Sequence, residues 1–195
     1  MLYSRKTLAG LFLLVGGIQW VLAIIIAEAR YQNYSVATNS ISDLGVNRSS
    51  ALIFDSSTFF LGLLIILAAY CLRNELRSRV FLTSLILAGI GPLGVAIFNE
   101  NHILIHSIFA LTAFVFGGVA AISAEGFLKR PLRYVSIAIG AFTLLALVLF
   151  LSGIHLGIGI GGMERMVAYP TTLWMVAFGG YLSADFGTAS FQGKN

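Results

Sequence analysis

The chain has 195 residues, of which 58% are hydrophobic and only 10% charged, where a soluble domain carries roughly 25% charged residues. Its net charge of +4 comes from 12 Lys and Arg against 8 Asp and Glu, and most of these bases sit in short connectors, where anionic lipid headgroups attract them. That balance excludes a nucleic-acid partner, and the apolar runs leave too little chain for a soluble catalytic domain.

A helix crosses a bilayer with about 20 mostly apolar residues, and six stretches meet or approach that length. The first, Thr7–Ala27, exceeds the roughly 7–15 residues of a signal-peptide core. It is expected to be retained, although Ala27-Glu28-Ala29 imitates a cleavage site. The longest connector follows, Glu28–Ser50, rich in Ser, Asn and Thr, with N-x-[ST] sequons at Asn33 and Asn47 that fit an exterior loop. It also carries Val36, Ile41, Leu44 and Val46, which predicts that part of it packs onto the mouth of the bundle. The second span, Ala51–Leu72, holds Asp55, Ser56, Ser57 and Thr58 near its start, a polar stripe expected to face the bundle.

The third span, Val80–Phe98, contains Gly89, Gly91 and Gly94. The fourth, fifth and sixth are Ile103–Ala124, Tyr134–Ile154 and Met166–Ala184. Small residues let membrane helices approach closely, and the four-residue recurrence of Gly153, Gly157 and Gly161 reads the same way. Phe116-Gly117-Gly118 and Phe178-Gly179-Gly180, followed by Glu125 and Asp185, form a short internal echo that helix-packing glycines produce equally well. The single Cys71 excludes an intrachain disulfide. Since lipid offers the backbone no hydrogen-bond partner, the expected fold is one all-α integral membrane domain over residues 1–195, a bundle of six transmembrane helices.

Basic residues set the orientation. With both termini cytoplasmic, nine bases lie inside (Arg5, Lys6, Arg73, Arg77, Arg79, Lys129, Arg130, Arg133, Lys194) and three outside (Arg30, Arg48, Arg165). The reading is a multi-pass protein of the cell membrane.

In that orientation the histidines and the conspicuous acids collect at the outer end. His102 and His106 are four apart, about 40° apart on one helix face, so with Glu100 they are candidate metal ligands, and His155, Asp43 or Glu164 would complete a shell. The alternative is that His102 meets interfacial water and His106 bonds a neighbouring helix. Arg165 is the evident outer cation for Asp55, Asp43 or Glu164, and structural pairing is the first reading. Ser42-Asp43-Leu44-Gly45 reads as a cap or turn before it reads as a nucleophile, because Ser and Asp bond local backbone and a catalytic serine needs a base within reach.

These residues also carry a resemblance. Asn39-Ser40-Ile41-Ser42-Asp43-Leu44-Gly45, then Phe98-Asn99-Glu100 with His106-Ser107-Ile108-Phe109-Ala110, then Gly161-Gly162-Met163-Glu164-Arg165 with Tyr169-Pro170 and Trp174, are similar to the signature segments of the domain-of-unknown-function family 998. That family consists of polytopic prokaryotic membrane proteins, and the archaeal type is the nearest. The resemblance covers nearly the whole chain and implies a site set of Ser42, Asp43, Glu100, His106, Glu164 and Arg165. It departs at Asn99, where the family usually has proline, and leaves His102 and His155 outside the matched positions.

Three functions follow as expectations. The first is a non-enzymatic bundle that binds membrane lipid or a protein partner, as an accessory subunit or a homo-oligomer, with Asp43, Glu100, His106, Glu164 and Arg165 pinning the outer loop. The second is a membrane-embedded hydrolase acting on a lipid at the outer leaflet, with His106, Asp43, Glu100, Glu164, Arg165 and Ser42 as catalytic candidates. The third is a small transporter, disfavoured because no polar stripe continues inward. No cofactor is expected, zinc being the alternative in the second reading.

Overall fold

The computed structural model describes residues 4–76 and 78–184. Arg77, Asp185 and Lys194, invoked above for orientation and for the internal echo, lie outside the described residues. Six long helices are present among the described residues: α1 Arg5–Arg30, α2 Ala51–Leu72, α3 Arg79–Ile97, α4 Ile103–Ser123, α5 Leu132–Leu151 and α6 Gly159–Ser183. Three short 3₁₀ turns flank them, at Ser42–Gly45, Glu100–His102 and Ala124–Phe127, and no strand occurs among the described residues. By length and composition α1, α2, α3, α4 with its flanking turns, and α5 are each able to cross a membrane. Five such helices make the chain an integral membrane protein.

Local chemistry places the ends. The Ser4 hydroxyl accepts the Thr7 N–H at 3.0 Å and opens α1, and the Ser78 hydroxyl accepts the Phe81 N–H at 3.3 Å and opens α3. Asn99, the point of departure from the signature segments, does similar work: its Oδ1 accepts the Asn101 N–H at 3.2 Å and starts the 3₁₀ turn before α4.

Each helix packs on the next in the chain, and α6 returns to α1, closing a ring. Lipid removes the hydrophobic drive for helix association, so close approach has to come from small residues. Gly62 meets Gly89 between α2 and α3, Gly118 meets Gly140 between α4 and α5, and Gly10 meets Gly179 where α6 closes on α1. At each pair a Cβ would strike the facing backbone carbonyl. The two paired-glycine echoes thus contact different partners, α5 and α1.

Three sequence expectations need correction. α6 begins at Gly159, seven residues before Met166, so Glu164 and Arg165 lie inside its first turns rather than ahead of it. α6 is also the most enclosed helix, with 13 buried residues against four in α4, which is why its charges survive there. Gly153 and Gly157 do not line a helix contact: with φ of +71° and +79° they sit in the left-handed region and shape the α5–α6 turn. Finally, α1 runs on to Arg30, keeping Glu28 helical and aimed at α6 instead of in the loop.

Candidate functional site

The long connector folds over one end of the ring. Ile41 and Leu44 are buried there while Val36 and Val46 stay exposed, so half of its apolar residues act as anchors. Ser40 and Asp43 cap each other: the Ser40 hydroxyl accepts the Asp43 N–H at 3.0 Å, and Asp43 Oδ2 accepts the Ser40 N–H at 2.9 Å. Asn39 Nδ2 donates to the same carboxylate oxygen at 3.1 Å. Gly161 admits this turn, since a Cβ there would collide with the Asn39 carbonyl.

Adjacent residues at the start of α6 then hold the connector from two sides. Glu164 is 4% exposed. Its Oε2 accepts the Ile41 N–H at 2.5 Å and its Oε1 accepts the Ser42 hydroxyl at 3.0 Å. Arg165 faces the other way. It donates to the Gly161 carbonyl at 2.8 Å, to Glu28 Oε1 at 2.5 Å and to the Tyr34 hydroxyl at 2.7 Å. Tyr34 in turn donates to the Ser40 carbonyl at 2.8 Å. Burial pushes the Tyr34 phenol up to about 12, against the opposing pull of Arg165.

Arg165 therefore pairs with Glu28 and not with Asp55, Asp43 or Glu164. Asp55 has one buried carboxyl oxygen without a hydrogen-bond partner. Its expected polar stripe is divided: Ser57 and Thr58 are buried, Thr58 accepting the Trp20 indole N–H at 3.1 Å, but Ser56 is exposed. Glu28 and Tyr34 were missed because each reads as ordinary loop composition until α1 is known to extend.

His106 is 3% exposed and its Nδ1 lies 2.8 Å from the Phe98 carbonyl. A carbonyl only accepts, so Nδ1 carries the proton and Nε2 of the neutral ring is left as an acceptor. Nε2 has no hydrogen-bond partner among the described residues. His102 does not join it. The residue is exposed and precedes α4 with non-helical backbone angles, so the shared helical face does not form. His155 sits in the α5–α6 turn and does not line the groove. Among the described residues no three His, Cys, Asp or Glu side chains are grouped so as to hold a metal ion.

Beside this cluster lies a groove of about 420 Å³ between α4, α5 and the start of α6. Its polar end holds Ser40, Ser42, Asp43, Glu100, His106 and Glu164. Its apolar length is walled by Ala110, Leu111, Phe114, Leu147, Phe150 and Leu151. Ile103, Leu111, Leu151 and Ile160 on its walls are exposed, so the groove opens sideways. A smaller, almost wholly apolar cavity of about 110 Å³ fills the ring interior and shares Ser42, Ala110, Phe114 and Glu164 with it.

The signature segments thus converge on one end of one fold, as members of a single family would share them. A family model described as "Protein of unknown function (DUF998)" matches residues 14–181. The chain belongs to this family. The DUF998 match takes in the whole connector, the groove and both charged residues of α6. No curated protein and no solved structure matches the chain.

Proposed function

We propose that the protein is a six-span, non-enzymatic lipid-binding bundle of the cell membrane, with both termini cytoplasmic. Orientation is supported by charge: Arg5, Lys6, Arg73, Arg79, Lys129, Arg130 and Arg133 lie at the end opposite the long connector, against Arg30, Arg48 and Arg165 at its own end. Lipid binding is carried by the groove. A polar end joined to a long apolar wall, opening sideways through exposed Ile103, Leu111 and Leu151, matches one amphiphile entering from the bilayer.

Native mass spectrometry of the full chain, extracted in mild detergent, tests this. One retained lipid mass per chain, absent from Leu111→Trp, is the expected result. No adduct, or equal adducts in both proteins, contradicts it. For topology, a cysteine at Ser49 in a Cys71→Ala background reacts with an impermeant thiol reagent on intact cells; protection of that site reverses the orientation.

A second reading, a membrane-embedded hydrolase, is favoured by one observation, the acceptor Nε2 of buried His106 lining the same groove. In that reading a bound lipid is cleaved when offered in excess. Intact recovery of the lipid supports the binding role.

A further inference from the structure

The polar end of the groove has a one-sided charge. Asp43, Glu100 and Glu164 all line it, and among the described residues no Lys or Arg does. Arg165, next in sequence to Glu164, is turned toward Glu28 and Tyr34. The Glu100 carboxyl lies within hydrogen-bond reach of that of Asp43, and the Ser40 hydroxyl donates to it at 3.5 Å. Carboxyls crowded into a half-enclosed site repel each other when ionised, and a cation relieves that repulsion as a shared proton would. His106 adds an independent contact point. Its ring is 3% exposed, its tautomer is set by Phe98, and the remaining acceptor nitrogen has no partner in the groove wall. That nitrogen opens to the groove, where it can accept a ligand N–H. Behind this end Leu111, Phe114, Leu147 and Phe150 offer only apolar surface.

We infer that the groove binds a long-chain primary amine, its ammonium set among Asp43, Glu100 and His106 and its alkyl chain along α4 and α5. This inference rests on the lipid-binding reading and names its headgroup. A phosphate-bearing or carboxylate head would add negative charge to an acidic pocket. An alcohol would satisfy His106 but leave the carboxyls uncompensated.

The test compares tetradecylamine, tetradecanol and tetradecanoic acid binding to the full chain in phosphatidylcholine nanodiscs, with empty nanodiscs subtracted. The amine is expected to bind roughly tenfold more tightly than the other two, the usual scale for one charge-assisted contact in a desolvated site. Glu100→Gln, which removes the carboxyl and keeps the side chain's size, is expected to lose most of that preference and keep alcohol binding. Leu111→Trp is expected to block all three probes. Alcohol or acid binding as tightly as the amine, or an unchanged preference in Glu100→Gln, overturns the amine inference and leaves the lipid site standing. Failure of all three probes overturns both.

Discussion

Glu164 and Arg165 are neighbours on α6, yet they serve two regions built on different principles. On the Arg165 side every strong group is matched: guanidinium to Glu28, Tyr34 and the Gly161 carbonyl, and Tyr34 onward to Ser40. On the Glu164 side the loop backbone is held equally well, but Glu100 and the acceptor nitrogen of His106 face a groove that no Lys or Arg lines among the described residues. Satisfied polar networks rigidify a fold, while unsatisfied ones mark where something else has to come. The first region is a lock, and the second is the proposed site.

The largest expected effect lies on the lock. Glu28→Ala leaves Arg165 enclosed without its carboxylate, so thermal unfolding should show a loss of about 3 kcal/mol. Combining Glu28→Met with Arg165→Met should recover much of it, since removing both charges removes the unpaired one. If Glu28→Ala is neutral, the lock is not a lock.

Next comes the loop seat. Gly161→Ala places a methyl against the Asn39 carbonyl and should cost about 1–3 kcal/mol by pushing the connector off α6. Protease cleavage within residues 35–41, faster in the variant than in the parent, is the readout.

On the groove side His106 separates structure from binding. His106→Ala leaves the Phe98 carbonyl unmet and should cost about 1–2 kcal/mol. His106→Asn can donate in place of Nδ1–H but lacks the second nitrogen, so it should recover stability without restoring amine binding. Equal stability losses in both variants would argue that the ring is needed only for packing.

A smaller effect is pH-dependent. The Tyr34 phenol is raised by burial from 10 to about 12, so the folded state favours its neutral form. Its contribution is complete below about pH 10 and fades as pH rises through about 12. The melting-temperature difference between the parent and Tyr34→Phe should shrink across that window, and a constant difference would contradict the assignment.

How far the sequence could be read follows the same division. Hydropathy alone located α2 to the residue and four other helices to within a few positions, because lipid imposes length and apolarity on them directly. α6 resisted, since Glu164 and Arg165 look interfacial and only the bundle around them makes burial affordable. The motif residues Ser42, Asp43, Glu100, His106 and Glu164 do meet at one end. The partner of Arg165 was illegible because it depends on one extra turn of α1. His102 and His106 were paired by a helical spacing that a 3₁₀ turn at Glu100–His102 interrupts. The groove wall had no signal, because Leu147 and Phe150 resemble any lipid-facing residue.

The most direct measurement sets Glu28→Ala beside Glu100→Gln in the same nanodiscs, recording melting temperature with and without tetradecylamine. Two separable regions require that Glu28→Ala melt lower yet keep the amine-induced shift, while Glu100→Gln melts within about 0.5 kcal/mol of the parent and loses the shift. If stability and shift fall together in both variants, the cluster is a single structural unit and the groove is not a site.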